Sequence, residues 1–246
     1  MSTPTTTTCP APVTAMILAA GRGERMRPLS DHTPKPLLKI HGKPMIEWHL
    51  EKLAAAGIQR VVINTCWLEE QFKPALGNGS RWGLQIHYSM ERELFGAALG
   101  TAGGIIHALP QLAQSGEAFW LISGDIYAPD FYFSPVVAQN FLTSNALARL
   151  WVIPNPPYHP RGDFGISAEG LGIARRPGPD GKLWTYASIA LIRPTLYAGL
   201  PASHETSFIQ PLLDSMHKGL IEIELYTGRF ENVGTPEQLE TINTQL

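Results

Sequence analysis

Cysteine is scarce in this chain, and its scarcity removes several classes of protein. Only Cys9 and Cys66 occur among the 246 residues. Two cysteines are too few for the disulfide framework of a small secreted domain or for a cysteine-based zinc site. The histidines stand singly, without the spacing of a metal site. We therefore expect a protein of a reducing compartment, the cytoplasm.

An excess of positive charge and long apolar runs are lacking as well. The chain has 19 Lys and Arg against 21 Asp and Glu, which gives a net charge of −2. No basic field is available to hold nucleic acid or an anionic membrane surface. No segment approaches the roughly 18 consecutive apolar residues that indicate a membrane span. The expected partners are small anionic substrates, and the protein is expected to be a monomer or a small homo-oligomer.

Residues 1–12 also lack the basic start and the apolar stretch of a signal peptide. They are expected to form a disordered N-terminal arm that precedes a single domain at 13–246. Because 44% of the residues are hydrophobic, the chain can bury a large core.

Apolar strands alternate with helical patterns through most of this domain. The predicted strands are 13–20, 60–65, 84–88, 119–122, 146–153 and 184–192, and the predicted helices are 44–56, 68–76, 101–109, 206–218 and 236–246. Such alternation is typical of βαβ units on a parallel sheet. The sequence therefore predicts an α/β fold, a single-domain mixed, mostly parallel twisted sheet with helices on both faces.

The most informative segment is a glycine-rich loop, MILAAGRGERMRPL, followed closely by TPKPL. Gly21 and Gly23 remove side chains where backbone N–H groups can face a triphosphate, and Arg25 and Lys35 add positive charge. A dinucleotide-binding turn is a competing interpretation, but that motif needs a small residue where Met26 stands. A P-loop is excluded, because its Gly-x-x-x-x-Gly-Lys-Ser/Thr pattern is absent from the sequence. These features indicate a nucleotide-binding loop.

This loop resembles the signature of the sugar-1-phosphate nucleotidylyltransferases, which are also called NDP-sugar pyrophosphorylases. Further segments follow in the order and spacing of that family: GKPMIE at 42–47, GTAGG at 100–104, SGD at 123–125 and VGTPE at 233–237. The resemblance covers about 13–246 and implies the Rossmann-like fold of nucleotide-diphospho-sugar transferases. It also implies in-line transfer of a nucleotidyl group from an NTP to a sugar-1-phosphate, with Mg²⁺ as the cofactor and pyrophosphate as the second product.

The resemblance also implies which residues hold the nucleotide. They are Ala20, Gly21, Gly23, Glu24 (through its backbone N–H), Arg25, Lys35, Glu91, Thr101 and Gly103. Arg25 and Lys35 are the expected catalytic cations, because fixed positive charge stabilises the charge that develops on the pyrophosphate leaving group. The segment that starts at Glu91 is expected to recognise the base. A plain helix N-cap is the alternative for Thr101.

Magnesium has two candidate ligands in the sequence. Asp125, also an expected catalytic residue, follows a buried strand at the sheet edge where ligands collect, although it could instead cap a turn. In the family, the second ligand is the Asp of an Asp-Val/Ile-Gly-Thr motif, and here Asn232 stands in its place. Glu231 is expected to point to the opposite face of the strand. The alternative for Asn232 is a cap on the helix that opens at Thr235.

Two sequence segments narrow the choice of sugar substrate. NPPYHPRGDF at 155–164 and WTYASI at 184–189 are similar to one branch of the family, the N-acetylmuramate α-1-phosphate uridylyltransferases of bacterial peptidoglycan recycling. This resemblance implies UTP and N-acetylmuramate-1-phosphate as substrates and UDP-N-acetylmuramate as the product. The implied sugar contacts are Asn155, Asp163, Tyr186 and Ser188. The alternatives are a turn cap for Asp163 and a packing role for Tyr186.

Two other functions stay open at this point. A mannose-1-phosphate guanylyltransferase, or another hexose-1-phosphate nucleotidylyltransferase, would share the same nucleotide-binding half. A non-catalytic sugar-nucleotide sensor is compatible with Asn232 in place of Asp. Against a sensor stand Arg25, Lys35 and Asp125, since a pure binding module does not need all three.

Overall fold

The computed structural model describes residues 14–245, so the arm expected at 1–12 lies outside the described residues. The strands within this range are β1 (Thr14–Ala19), β2 (Lys39–Ile40), β3 (Lys43–Pro44), β4 (Arg60–Thr65), β5 (Gln85–Met90), β6 (Phe119–Ser123), β7 (Ile126–Tyr127), β8 (Ala148–Ile153), β9 (Phe164–Ile166), β10 (Gly172–Ala174), β11 (Thr185–Ile192), β12 (Ile221–Leu225) and β13 (Glu231–Asn232). The α-helices are α1 (Met45–Ala55), α2 (Phe72–Leu76), α3 (Glu91–Phe95), α4 (Gly100–Leu112), α5 (Pro135–Thr143), α6 (Ile209–Met216) and α7 (Pro236–Thr244).

Seven of these strands form one mixed sheet in the order β12-β8-β11-β6-β1-β4-β5. Strand β1 pairs in parallel with β4 and β6, and the pairs β4/β5 and β8/β12 are parallel as well. Only β11 runs antiparallel to its two neighbours in this sheet, β6 and β8. The predicted mixed, mostly parallel sheet is confirmed.

Helices cover both faces of the sheet. Successive side chains of a strand point to opposite faces, so Ala15 and Ile17 of β1 join one buried cluster and Met16 joins the other. Helices α1, α2 and α5 supply apolar side chains to the first cluster, and α4 and α6 to the second. The two-faced arrangement leaves the loops at the carboxyl ends of the parallel strands free to form a site.

Several elements differ from their predicted bounds for identifiable reasons. The helix predicted at 68–76 is a 3₁₀ turn followed by α2, and the helix predicted at 206–218 is shortened to α6. Pro74 and Pro211 each lie in the first turn of these helices, where a missing N–H costs nothing. Helix α5 was not predicted, although Ser134 accepts a hydrogen bond from the Val137 N–H as its N-cap.

No helix in the described part of the chain is long and apolar enough to cross a membrane.

Candidate active site

The carboxyl ends of β1, β4 and β6 open onto a cavity of about 460 Å³. Two 3₁₀ helices bring the predicted cations to it, Glu24–Met26 for Arg25 and Lys35–Leu37 for Lys35. The start of α4 and the loop after β13 complete the wall. The lining residues among those described are Leu18, Ala19, Ala20, Gly21, Gly23, Glu24, Arg25, Lys35, Pro36, Asn64, Ala98, Gly100, Thr101, Ser123, Asp125 and Gly234.

The two glycines of the nucleotide loop serve different purposes. Gly23 has a φ of +66°, and a Cβ there would lie 3.1 Å from the Cβ of Lys35. Its backbone conformation and its close approach to Lys35 both favour glycine. Gly21 has nothing within 4 Å of its Cβ position, so its missing side chain leaves open space at the cavity.

The nucleotide loop is braced from the side. The hydroxyl of Ser30 donates to the Gly23 carbonyl at 2.8 Å, and the Trp67 indole N–H donates to the Ser30 carbonyl at 2.7 Å. The Arg22 guanidinium lies over the same indole ring, 4.5 Å from its centroid. A cation over an aromatic face is attracted to it, so Trp67 links both ends of the loop. Neither Arg22 nor Trp67 was assigned a role from the sequence.

Lys35 and Asp125 form an ion pair inside the cavity. The Lys35 Nζ lies 2.6 Å from Asp125 Oδ2, and the Ser123 hydroxyl donates to Asp125 Oδ1 at 2.6 Å. The Lys35 side chain is only 8% exposed. Burial raises the pKa of Asp125, but the Lys35 charge and the hydrogen bonds from Lys35 and Ser123 outweigh burial and hold it below its ordinary value. Asp125 is therefore an anion beside a fixed cation, with side-chain partners instead of a turn-capping role.

A buried histidine supports the turn that carries Asp125. His49, on the inner face of α1, has its Nε2 at 2.9 Å from the Ile126 carbonyl, to which it donates. Burial is the main cause that lowers the pKa of His49 to about 4, while the Ile126 carbonyl and the Asp125 charge act against it. The ring is therefore neutral near pH 7.

The backbone segment that contains Asn232 lies beside the backbone of Asp125. Strand β13 pairs with β7, and the Val233 N–H donates to the Asp125 carbonyl at 3.1 Å. The Asn232 Oδ1 is buried and has no hydrogen-bond partner. Its alternative role as a helix cap is wrong, because Thr235 caps α7 in a reciprocal capping box with Gln238. A buried acceptor without a donor costs free energy unless something else binds it.

The donor set at this place fits a magnesium ion. Mg²⁺ prefers oxygen ligands and commonly takes one or two from the protein, with substrate phosphates and water completing the octahedron. Asp125 lines the cavity and offers a carboxylate, and Asn232, which does not line it, offers a buried, unpartnered amide oxygen. Across residues 14–245 there is no group of three or more His, Cys, Asp and Glu that could hold a metal ion. A metal at this cavity would therefore depend on the nucleotide for part of its shell.

Arg25 lies against the loop after β13. Its Cζ is 3.5 Å from the position that a Cβ on Gly234 would take. Tyr158 is exposed and lies in the loop after β8. Its pKa is affected by nearby charges. Burial is the main cause that raises the pKa of Tyr158; the charges of Glu231 and Asp125 add to the rise, and Arg25 opposes it. Tyr158 belongs to the predicted sugar loop and was not singled out in the sequence.

The structure corrects the place of Glu91. Its side chain is fully buried and does not line the cavity. The carboxylate accepts hydrogen bonds from the Asn64 side-chain amide at 2.8 Å and from the Leu99 N–H at 2.7 Å. With both oxygens engaged below the surface, Glu91 does not reach a nucleobase directly.

Thr101 and Gly103, predicted together, have separate roles. Thr101 lines the cavity in the first turn of α4, whose N-cap is Leu99, so a capping role for Thr101 is wrong. Gly103 is buried, and a Cβ there would lie 2.8 Å from both the Leu99 Cβ and the Ser203 carbonyl oxygen. Gly103 therefore allows close packing and does not line the cavity.

The predicted sugar contacts Asn155 and Asp163 are used within their own loop. The Asn155 amide donates to the Leu183 and Pro160 carbonyls, and its Oδ1 accepts from the Thr185 hydroxyl. Asp163 accepts from the Tyr186 N–H at 2.8 Å and lies 3.0 Å from the His159 Nε2. Neither lines the 460 Å³ cavity. In this arrangement both side chains give the loop its shape, and direct contact with a sugar stays a prediction.

Tyr186 and Ser188 lie on β11, which is irregular where it pairs with β8. The register shifts between Tyr186 and Ala190, and Ser188 has a φ of +56°, a left-handed conformation that is costly for a residue with a side chain. Tyr186 stacks on Phe208, and its hydroxyl is buried without a hydrogen-bond partner. Neither residue lines the 460 Å³ cavity.

A second cleft of about 590 Å³ lies between the loop that follows β8, at 154–161, and the turn before β11. Asn155 lines it, together with the exposed cations Arg161 and Lys182. This pair of cations was not singled out in the sequence.

Asn64 is a cavity residue that was missed in the sequence. It lies in β4 and is only 2% exposed, among apolar neighbours. Its Oδ1 accepts from the Ala19 N–H at 3.0 Å, at the start of the nucleotide loop. The available signal was an amide inside the apolar run VVINT, because buried polar side chains need partners.

Several known proteins are similar to this chain in sequence. The model of the nucleotidyl transferase family matches residues 14–169. An N-acetylmuramate α-1-phosphate uridylyltransferase of Neisseria meningitidis is 39% identical over 221 residues, which are 90% of this chain and 93% of that protein. A mannose-1-phosphate guanylyltransferase of Mycobacterium tuberculosis is 37% identical over 114 residues, 46% of this chain and 30% of that protein.

The fold also matches solved structures. A crystal structure of a glucose-1-phosphate thymidylyltransferase from Bacillus anthracis, described as putative, aligns with a TM-score of 0.76 over 94% of each chain. Its sequence identity is 19%, so this likeness speaks for the fold alone.

Proposed function

The chain belongs to the nucleotidyl transferase family, and on that premise we propose that it couples UTP to N-acetylmuramate α-1-phosphate. The products are UDP-N-acetylmuramate and pyrophosphate. The observation that carries the proposal is the 39% identity to the Neisseria uridylyltransferase, because it extends over 90% of this chain and 93% of that protein. Such a reaction suits a cytoplasmic step in peptidoglycan recycling.

The reaction is a direct substitution at phosphorus. An oxygen of the sugar phosphate attacks the α-phosphorus of UTP, the bond from that phosphorus to the bridging oxygen breaks, and pyrophosphate leaves with the electron pair. No covalent intermediate on the enzyme is required. Arg25 and Lys35 face the cavity as cations, so they stabilise the negative charge that grows on the leaving group.

Asp125 and Asn232 would hold magnesium. When bound, Mg²⁺ supplies positive charge that draws the nucleotide phosphates together and offsets their negative charge. Because Asn232 is neutral, the protein contributes one carboxylate to this pair of ligands. We expect the ion to bind weakly to the free enzyme and to enter mainly with UTP, whose phosphates add the missing charge. Lys35 keeps Asp125 ionised for this purpose.

The cations beside the sugar loop favour an acidic sugar. N-acetylmuramate carries a lactyl carboxylate that neutral hexoses lack, and Arg161 and Lys182 line the 590 Å³ cleft next to Asn155. We propose that this cleft receives the lactyl group, while Asn155 and Asp163 keep the loop in shape. A mannose-1-phosphate guanylyltransferase remains the second candidate, since the nucleotide half of the chain matches such enzymes too.

The test is pyrophosphate release, measured for four NTPs against several sugar-1-phosphates, with and without Mg²⁺. We expect the highest kcat/KM with UTP and N-acetylmuramate-1-phosphate, followed by UTP with N-acetylglucosamine-1-phosphate. A higher value with GTP and mannose-1-phosphate would contradict the proposal. Thermal stabilisation by a nucleotide with no pyrophosphate release in any combination would instead indicate a sensor.

A paired variant tests the acidic-sugar argument. Replacing Arg161 and Lys182 together with Gln should raise KM for N-acetylmuramate-1-phosphate and leave KM for N-acetylglucosamine-1-phosphate unchanged, because only the former carries the carboxylate. Equal changes in KM for both sugars would show that the two cations do not bind the lactyl carboxylate.

A further inference from the structure

Two buried polar side chains join the two walls of the nucleotide cavity. Asn64 lies near the end of β4, and Glu91 is the first residue of α3, directly after β5. Their exposed fractions are 2% and 0%. Together they form a hydrogen-bonded pair, Asn64 Nδ2 to Glu91 Oε1, at 2.8 Å. No lysine or arginine forms an ion pair with Glu91 among the salt bridges of the described residues.

Each member of the pair holds one wall. Asn64 Oδ1 accepts from the Ala19 N–H at 3.0 Å, where β1 passes into the nucleotide loop. Glu91 Oε2 accepts from the Leu99 N–H at 2.7 Å, one residue before α4 begins. Ala19 on one side and Gly100 on the other both line the cavity. The four groups therefore form a continuous chain of hydrogen bonds from wall to wall.

The neighbouring helix is shaped around this chain. A Cβ on Gly104 would lie 2.6 Å from Glu91 Oε1 and 2.7 Å from Asn64 Nδ2. Only glycine lets α4 pack directly over the pair. The absence of a side chain at Gly104 thus reflects the space taken by two hydrogen-bonding groups.

We propose that Asn64 and Glu91 are positioning residues, which set the width of the nucleotide cavity and thereby the affinity for the nucleotide and the choice of base. This proposal rests on the proposed function and deepens it. Glu91 acts through Asn64 and Leu99 without touching the nucleotide. The order of donors and acceptors explains why these residue types are needed, since Glu91 must accept from two donors and Asn64 must accept once and donate once.

This arrangement of donors and acceptors can be tested by exchanging the amide and the carboxylate between positions 64 and 91. Glu91→Gln leaves one acceptor for two donors, and Asn64→Asp sets two carboxylates against each other. In the double variant, the carboxylate introduced at position 64 accepts from both the Ala19 N–H and the amide introduced at position 91. The oxygen of that new amide still accepts from the Leu99 N–H. The double variant therefore restores every hydrogen bond, with the donor and acceptor between the two side chains exchanged.

The experiment measures the Kd of UTP, GTP, CTP and dTTP by titration, together with KM and kcat for UTP. Leaving a buried donor or acceptor without its partner typically costs about tenfold or more in an equilibrium constant. We expect each single variant to raise Kd and KM for UTP about tenfold and to narrow the preference among bases, with a smaller change in kcat. The double variant should recover most of the lost affinity. The matched control is Glu240→Gln, an exposed position on α7, which should behave as the wild type.

The outcomes separate this proposal from the proposed function. Wild-type affinity in Glu91→Gln, or a double variant no better than the worse single variant, overturns the proposal. Lower thermal stability with an unchanged Kd at a temperature where the variants are folded overturns it too, because it shows a purely structural role. Tightest binding of a nucleotide other than UTP contradicts the proposed function, while recovery of that affinity in the double variant still supports the pair. No binding of any nucleotide by the wild type overturns both.

Discussion

Acid should destabilise this protein through His49, a residue that lies beneath the turn carrying Asp125. Burial is the main cause that lowers the pKa of His49 from 6.5 to about 4 in the folded chain. In the unfolded chain the imidazole regains water and titrates near its ordinary value. Between these two values the unfolded chain binds one more proton than the folded chain. The free energy of unfolding therefore has its full His49 contribution above about pH 6.5 and loses it as the pH falls towards 4.

The size of the effect follows from the same two values. Each pKa unit corresponds to about 1.4 kcal/mol, and His49 spans 6.5 to about 4. Relative to neutral pH, we expect a loss of about 2 kcal/mol in the free energy of unfolding by about pH 5 and of about 3 kcal/mol by about pH 4. Losses of this size are a large fraction of the roughly 5–15 kcal/mol that stabilises a typical native protein.

The measurement is urea unfolding, followed by tryptophan fluorescence at several pH values, for the wild type and His49→Gln. Glutamine does not titrate, and its amide can still donate towards the Ile126 carbonyl, which His49 contacts at 2.9 Å. Other titrating groups affect both proteins alike, so the difference between the two curves isolates His49. Parallel curves between about pH 7 and pH 4 would refute the argument, because His49 would then be as easily protonated in the folded state as in the unfolded state.

Four further predictions concern single residues. Lys35→Ala should lower kcat about a hundredfold in a pyrophosphate-release assay, because a preorganised cation is lost at the developing charge; an unchanged kcat would contradict its phosphate role. Asn232→Asp should lower the Mg²⁺ concentration needed for half-maximal rate at fixed UTP, because it adds a negative ligand; an unchanged requirement together with a fully active Asn232→Ala would remove Asn232 from the metal site. Asp163→Ala should raise KM for the sugar phosphate more than KM for UTP, since it loses the bond from the Tyr186 N–H; equal changes in the two KM values would argue against a role in the sugar loop. Ser188→Gly should raise the unfolding temperature by relieving about 1 kcal/mol of strain at its φ of +56°, whereas Ser188→Ala should not; a lower unfolding temperature for the glycine variant would show that the strain is absent.

Much of the fold could be predicted because it depends on local patterns. The strand predicted at 60–65 coincides with β4, and the strand predicted at 13–20 differs from β1 only at its ends. Apolar periodicity and glycine placement act within a few residues, so they can be interpreted without knowledge of distant segments. The short edge strand β12 was missed, although its IEIEL alternation is a strand pattern.

In the candidate site, too, local features could be predicted from the sequence and long-range contacts could not. That Gly21, Gly23 and Arg25 share one loop follows from the sequence, and all three line the cavity; their contact with a nucleotide stays a prediction. Glu91 was wrongly expected at the base, because nothing in its own segment shows that Asn64 and Leu99 would engage both of its oxygens. Sequence likeness identifies a segment, but it does not tell which of its side chains face a ligand.

Periodicity and short-range motifs were enough to predict the mixed, mostly parallel sheet, the family and the loop expected to hold the phosphates. Which polar groups become partners was decided by the packing of the whole chain. Lys35 and Asp125 meet across 90 residues of sequence, and Asn232 keeps a buried oxygen without a donor. Whether a side chain is satisfied, buried or left open to a ligand depends on groups that distant segments bring beside it, and no local pattern carries that information.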